Sequence, residues 1–341
     1  MKVRVDKVAS STATLRLGRE IEISERIEVR AGNVIVVKAL QEKSVYDTLE
    51  LATGRMAHIS REDILAGVLG RRRALKGFVG DLPETIRVGD RLQILNLGGV
   101  IGVCVSGHKD FGNPLQVEVL GMAVKNGKPL NIEQGAIPPR KSLADLADLP
   151  PLVLVEGTCM AAGKTQAACE IVQKLNQRGW KCAVLKATGV ACMRDVLNMV
   201  DHGAEEGLSF QDAGLSSTVD TDDLPSVVKG LLAALAAKRP DVIVVELGDG
   251  IIGGYGVGSL LRDPEIRGAA RVHVMCANDL VAAWGAVAVM KEMDLRIDVF
   301  AGPATDNLVG VEYIQRELKV AAANARTDGN RLADIVEGLL G

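Results

Sequence analysis

Three consecutive residues, Gly163-Lys164-Thr165, stand between a short apolar run, Leu152–Val155, and a stretch whose apolar residues fall at 167, 168, 171, 172 and 175. The first run reads as a buried strand and the second as one face of a helix. A turn that passes from strand to helix over small residues presents backbone N–H groups and the positive end of a helix dipole to an anion. A lysine at the helix start adds a mobile positive charge for β- and γ-phosphates, and the following hydroxyl is a ligand for Mg²⁺. Gly157, Thr158, Cys159, Met160, Ala161, Ala162, Gly163, Lys164, Thr165 and Gln166 are therefore the expected cradle of a nucleoside triphosphate. The spacing departs from the common pattern: five residues separate Gly157 from Gly163, and Thr158 stands where a first glycine is usual.

Other chemistry-bearing residues follow apolar runs. Val242-Ile-Val-Val ends in Glu246, with Asp249 three residues on. An acid leaving a buried strand is the second half of such a site, holding Mg²⁺ directly or through water. Glu246 is the first choice for that role and Asp249 the second. Lys186 leaves the run Val184-Leu185 and is a candidate for neutralising phosphate or an anionic substrate. Asp195, beside Arg194, and Asp201 are further acids that could serve the metal. Asn278 and Asn307 each begin a helical stretch, where capping explains them singly and contact with a base or substrate is the functional reading. The stretch 250–259 is rich in glycine and reads as a binding loop or lid. Lys164, Lys186 and Glu246 are thus the expected catalytic groups, and Thr165, Glu246, Asp195 and Asp249 the candidate metal ligands.

These residues need elements to hold them. The chain has 341 residues, 48% of them hydrophobic, and a formal net charge of −3. That is enough apolar material for a full core, and the length favours two domains. No broad basic excess points to nucleic acid. Arg71-Arg72-Arg73 with Lys76 is the one basic run and reads as a solvated turn. No apolar stretch has the length of a membrane helix, and the N-terminus has no signal-peptide core. The six cysteines show neither a C-x-x-C pair nor metal spacing with the four histidines. They read as reduced thiols of a cytoplasmic protein.

Residues 1–135 carry short alternating runs: Lys2–Val8, Glu20–Val29, Asn33–Ala39, Thr48–Leu51, Arg55–Ile59, Arg91–Leu97, Val100–Val105 and Gln116–Val124. Gly98-Gly99 suits a tight hairpin. Ser60–Leu69 opens like a capping box and is predicted helical. A small all-β, barrel-like domain is expected here. His108, Lys109 and Asp110 lie in a glycine-bounded loop of this region that reads chiefly as an exposed turn. Residues 136–151, with two Pro-Pro pairs, read as a linker. From 152 to 341 strands are predicted at 152–156, 182–186, 241–246, 271–277, 297–301 and 319–324. Helices are predicted at 164–177, 193–202, 224–237, 280–293, 306–317 and 330–340. That alternation predicts an α/β domain with a mostly parallel sheet covered on both faces, with ligands at the carboxyl ends of its strands.

The loop from Gly157-Thr158 to Gly163-Lys164-Thr165 resembles the G-T-D-T-x-V-G-K-T loop of dethiobiotin synthetase, including the longer spacing. Lys186 resembles the lysine after the second strand of that family, Val245-Glu246 with Gly248 its V-E-G segment, and Asn278 its asparagine after a later strand. Cys159 and Leu247 depart from those patterns, and the N-terminal region has no counterpart. The resemblance covers roughly 152–310. It implies the P-loop NTPase class that includes dethiobiotin synthetase, cobyrinate amidase-type enzymes and partition ATPases. In that class ATP activates an oxygen nucleophile, and dimers are common. The resulting expectation is a P-loop enzyme that uses ATP, or another nucleoside triphosphate, with Mg²⁺ to phosphorylate or activate a small anionic metabolite. The alternative is a nucleotide-hydrolysing switch that acts on a protein partner through its β domain.

Overall fold

A computed structural model describes residues 1–146, 148–219 and 221–341. Ala147, inside the stretch read as a linker, and Asp220 lie outside the described residues. The chain forms two compact units. The first comprises Met1–Ile137, Val190–Arg194 and Phe210–Val219; the second comprises Pro138–Gly189, Asp195–Ser209 and Asp220–Gly341.

The first unit is built on a mixed sheet. From one edge its strands run Lys2–Arg4, Glu20–Ser24, Gln116–Lys125, Val34–Ala39, Ile64–Leu69, Val100–Gly107, Phe78–Asp81 and Arg72–Arg73. Arg91–Ile94 pairs with both Val100–Gly107 and Gln116–Lys125. The Gly98-Gly99 hairpin forms, with Gly99 at φ 83°, and Asn96 Oδ1 closes the turn by accepting from the Val100 amide at 2.9 Å. Parallel pairs of Ile64–Leu69 with Lys7–Val8 and with Val100–Gly107 make the sheet mixed, and the two pairings of Arg91–Ile94 close Gln116–Lys125, Val34–Ala39, Ile64–Leu69 and Val100–Gly107 into a ring with it.

Two sequence expectations fail here for identifiable reasons. Ser60–Leu69 is not a helix. Asp63 folds back to accept from the Ser60 amide at 2.6 Å, and Ile64–Leu69 is a strand buried along most of its length. A continuous apolar run of six can be strand or helix by pattern alone. The ladder decides it: Ile64–Leu69 pairs with Val34–Ala39 and Val100–Gly107, and Gly67 admits the carbonyl oxygen of Gly99 in the hairpin turn, which would stand 2.4 Å from a Cβ there. The basic run is only in part a solvated turn: Arg71 and Arg73 are partly exposed and Lys76 is exposed, but Arg72 is only 5% exposed.

The segments 190–194 and 210–219 complete this unit. Ala191 accepts from Asn96 Nδ2 at 2.7 Å, and the Met193 amide donates to Glu50 Oε2 at 2.7 Å. Phe210 and Ala191 join the core of Val34, Val36, Val68 and Phe78.

The second unit is an α/β unit. Its elements are β1 (Leu152–Gly157), α1 (Lys164–Gln177), β2 (Cys182–Thr188), α2 (Arg194–Asp201), β3 (Glu206–Ser209), α3 (Leu224–Ala236), β4 (Val242–Leu247), α4 (Val257–Arg262), α5 (Pro264–Ala269), β5 (Ala270–Cys276), α6 (Leu280–Glu292), β6 (Val299–Ala301), α7 (Leu308–Tyr313), β7 (Ala321–Ala322) and α8 (Gly329–Leu340). The strands are parallel in the order β3-β2-β4-β1-β5-β6-β7. Alternate residues of β1, β2, β4 and β5, among them Val153, Val155, Val184, Val244 and Val274, pack with Ile171 and Leu175 of α1 and Leu332 and Val336 of α8. Near-continuous apolar strands are what a sheet covered on both faces requires.

β3, α4 and α5 were not anticipated. Asp263-Pro264 carries a start signal for α5, since Asp263 Oδ1 accepts from the Glu265 and Ile266 amides and proline occupies the first helical position. Arg140, Ser142 and Leu143, in the stretch read as a linker, are tied into the second unit. The Arg140 amide donates to the Ser226 carbonyl at 2.8 Å, and Glu265 accepts from Ser142 Oγ at 2.6 Å and the Leu143 amide at 3.0 Å.

Candidate functional site

The turn between β1 and α1 is shaped by backbone constraints. Ala161 and Gly163 adopt positive φ, 59° and 92°. Gly163 is the N-cap of α1 and offers no side chain, so no side chain caps that helix start. The first amides of α1 are left to an incoming anion. Gly157 makes room for the lysine: a Cβ there would lie 2.9 Å from Lys164 Cδ and 3.1 Å from its Nζ.

Lys164 is 6% exposed and turns its ammonium back onto the loop, donating to the Cys159 carbonyl at 2.7 Å. Burial holds it below the ordinary lysine value, against the pull of nearby Glu246. A bound anion would reverse that balance.

β4 lies directly beside β1 and β2, and this adjacency brings the acids in. Glu246 Oε1 accepts from Thr165 Oγ1 at 3.1 Å and from Lys186 Nζ at 2.6 Å. Lys186 also donates to Asp195 Oδ2 at 2.5 Å. Burial pulls the Lys186 ammonium down, but Asp195 and Glu246 together outweigh it and hold the group above the ordinary lysine value. Glu246 Oε2 is buried with no hydrogen-bond partner, and so is Thr158 Oγ1. Such orphaned oxygens are rare in native interiors and mark a place for a missing ligand or ion.

Asp249 follows at φ 71°. Burial raises its carboxyl pKa, with Lys164 pulling the other way. The glycine-rich stretch is not an open lid. The Ile251 amide donates to the Gly157 carbonyl at 2.9 Å, and a Cβ on Gly250 would stand 2.5 Å from the Thr158 carbonyl oxygen. Gly250 and Ile251 are docked against the β1–α1 turn, and the last part of the stretch begins α4 at Val257.

The remaining candidates divide. Asn278 Nδ2 sits 2.9 Å from Cys159 Sγ and so supports the loop. Asn307 caps α7, accepting from the Gly310 amide at 3.3 Å. Met160 and Ala162 are loop positions, Ala162 fully buried. Asp201 ends α2 and takes no part in the Lys186 cluster. His108, Lys109 and Asp110 belong to the first unit, where His108 caps a short 3-10 turn at Lys109–Phe111.

A pocket missed in the sequence opens on the other side of the loop. Ala161, Gly163 and Gln166 line it together with Gly302, Pro303 and Asp306 after β6 and Asn324, Ala325 and Arg326 after β7. Asn324 is buried and ties the two loops. Its Nδ2 donates to Asp306 Oδ1 at 2.8 Å and to Thr305 Oγ1 at 3.2 Å, and its Oδ1 accepts from the Arg326 and Thr327 amides. An Asn after a short terminal strand was the available signal.

The site therefore has a lysine-and-carboxylate end toward β4 and β2 and a pocket toward β6 and β7, with the N-terminus of α1 between them. No His, Cys, Asp and Glu cluster among the described residues could hold a metal by itself. Among the described residues, no helix is long and apolar enough to cross a membrane.

No family model matches the chain, and no curated relative does. Among solved structures it is similar to chloroplast FtsY from Physcomitrella patens, at 13% identity over 58% of this chain and 69% of that one, with a TM-score of 0.40. It is similar to the cell division protein FtsY of Thermotoga maritima at 15% identity, over 60% and 70% of the two chains, with a TM-score of 0.39. It is also similar to the signal recognition particle 54 kDa protein of Aeropyrum pernix K1, solved with GDP, at 16% identity, 62% and 50% coverage and a TM-score of 0.37. Nothing in these comparisons singles out the dethiobiotin synthetase-like class. Loop, adjacent acid strand and parallel sheet together make the second unit an α/β unit with a glycine-bounded turn at the start of α1 and a carboxylate on the neighbouring strand.

Proposed function

We propose that the second unit binds a Mg²⁺–nucleoside triphosphate at residues 157–166 and hydrolyses its terminal phosphoanhydride. The observation that carries this reading is the Glu246 carboxylate, buried beside Thr165 with one oxygen orphaned. That donor set suits Mg²⁺, which takes few protein ligands and shares the rest with phosphate and water. Thr165 and Glu246 would hold it, and the ion would neutralise charge on the phosphates.

The need for a cation follows from charge. Lys164 and Lys186 face three acids here, Asp195, Glu246 and Asp249. A triphosphate of roughly four negative charges would add a large excess, so the site must gain positive charge with it. The α1 amides and Lys164 hold the phosphates. Water adds to the γ-phosphorus, the bond to the β–γ bridging oxygen breaks with its electrons on the diphosphate, and the water proton leaves to solvent.

The base occupies the Asp306–Asn324 pocket. The Asp306 carboxylate can accept from both N1–H and N2–H₂ of guanine but finds one such donor on adenine, which favours GTP over the ATP expected from sequence. Asp195 supports a switch. It pairs with Lys186 and directly continues the segment 190–194, which packs within the first unit. The second reading replaces water by the oxygen of a small carboxylate, which would take the place of Asp195 on the Lys186 ammonium.

Turnover of GTP and ATP with Mg²⁺, measured with and without a panel of small carboxylates, tests both readings. Hydrolysis that is indifferent to the panel supports the switch, and stimulation supports transfer to a metabolite. If Lys164→Ala retains full nucleotide binding, the site assignment fails.

A further inference from the structure

Arg72, in the first unit, is buried over the Tyr46 ring, 5.8 Å from its centroid, with no ion-pair partner among the described residues. It is 5% exposed. Its Nη1 donates to Tyr46 Oη at 2.8 Å and to the Leu95 carbonyl oxygen. Its Nε has no partner. Its neighbours Arg71 and Arg73 both pair with Asp81, yet among the described residues no carboxylate forms an ion pair with Arg72. A guanidinium cannot shed its proton to escape burial. Isolating a charge in low dielectric costs several kcal/mol unless an opposite charge is near. Water can complete the missing hydrogen bond but cannot supply the missing charge.

The surroundings have the form of a site. The Tyr46, Phe78 and Phe111 rings contact one another at centroid distances of 5.4 to 6.3 Å, and His108 leans on Phe111 at 5.9 Å. These are three of only seven Phe and Tyr residues in the chain, so the cluster is not a general feature of the core. A second cation, Lys43, lies 5.4 Å over the Phe78 ring and donates to the carbonyls of Phe111 and Asn113 rather than to an acid. Gly77, at φ 151°, lets the guanidinium pack close to the backbone, since a Cβ there would stand 2.5 Å from Nη2.

We propose that the first unit binds a small oxyanion, a carboxylate or a phosphate, at the Nε edge of Arg72 beside the Tyr46 and Phe111 rings. Nε and Nη2 form the planar fork that a carboxylate or phosphate meets with two parallel hydrogen bonds. The rings give the organic body of such a ligand an apolar wall, and Lys43 adds a second positive charge. This site is separate from the phosphate loop and does not depend on the nucleotide reading.

The test uses the full chain in chloride-poor buffer without nucleotide or Mg²⁺. Acetate, benzoate and inorganic phosphate are titrated separately, and thermal unfolding is followed. The expected result is a saturable rise in Tm with at least one probe, retained in Lys164→Ala and weakened about tenfold or more in apparent affinity by Arg72→Met. The probe that saturates tells a carboxylate ligand from a phosphate. A response equal in wild type and Arg72→Met overturns the proposal, and so does one that Lys164→Ala removes and Arg72→Met leaves. The latter response would belong to the phosphate loop and leave the nucleotide reading intact. Should Arg72→Met fail to fold, the ¹⁵Nε–¹H signal of Arg72 in the wild-type chain decides. A saturable shift with a probe supports the site, and an unmoved signal at saturating anion overturns it.

Discussion

At the scale of single residues, the candidate site turns on two lysines with opposite electrostatics. Lys164 is lowered by burial, and an anion is what it lacks. Lys186 is raised because two carboxylates outweigh its burial. Its folded pKa lies above the unfolded value of about 10.4, so its ion pairs contribute fully below that pH and lose their contribution as pH rises through the folded value. Lys186→Met should therefore cost about 3 kcal/mol or more at neutral pH, because it strands Glu246 and Asp195. It should also remove the alkaline loss of stability expected of the wild type. Urea unfolding of both proteins at pH 7 and near pH 11 checks this, and the same alkaline loss in the variant would rule it out. Glu246→Gln should keep nucleotide binding but lower Mg²⁺-dependent turnover by about a hundredfold or more, since an amide oxygen is a poor stand-in for an anionic metal ligand. Steady-state hydrolysis across a Mg²⁺ titration measures that effect.

At the scale of elements, the glycines of the phosphate loop separate stability from binding. A Cβ on Gly157 meets only the flexible Lys164 side chain. Gly157→Ala should thus change stability by less than about 1 kcal/mol while reducing nucleotide affinity at least tenfold, because the ammonium is displaced. Gly163 has φ 92° and a Cβ there would meet Gly302 Cα at 3.2 Å, so Gly163→Ala should lose about 1–2 kcal/mol of stability as well. Denaturation and fluorescent-nucleotide titration on the two variants would show the split; equal stability losses would contradict it. The loop, Lys186 and Glu246 were legible because strand, turn and helix each carry a local pattern, and each functional residue sits at a pattern's end. The pocket at Asp306 and Asn324 was not. It joins two loops whose strands, Val299–Ala301 and Ala321–Ala322, are too short for periodicity to place. The Ser60–Leu69 error came from the opposite condition, a clear pattern that fits two structures and is decided by a tertiary contact at Gly67. Arg72 was misread for a similar reason, since charge alone says nothing of burial.

At the scale of the whole molecule, the chain is not two beads in series. Its first unit takes back residues 190–194 and 210–219 after the second has begun. Amides of Ala191 and Met193 should therefore exchange with the protection of the first unit, which hydrogen-exchange mass spectrometry can read. Gly98→Ala should weaken that protection, because a Cβ there would stand 1.9 Å from the Ala191 carbonyl oxygen and force the segment away. Unchanged exchange at 191–193 in that variant would argue against the grouping. The same arrangement bears on how the protein is made. During synthesis the first 137 residues leave the ribosome without Phe210 and Ala191, two members of their own core. The amino-terminal unit must then wait, incompletely packed, until more than seventy further residues have been translated, which at about 5–20 residues per second is a delay of several seconds or more. A gene fragment ending near residue 137 would code for a piece that never receives its last two parts.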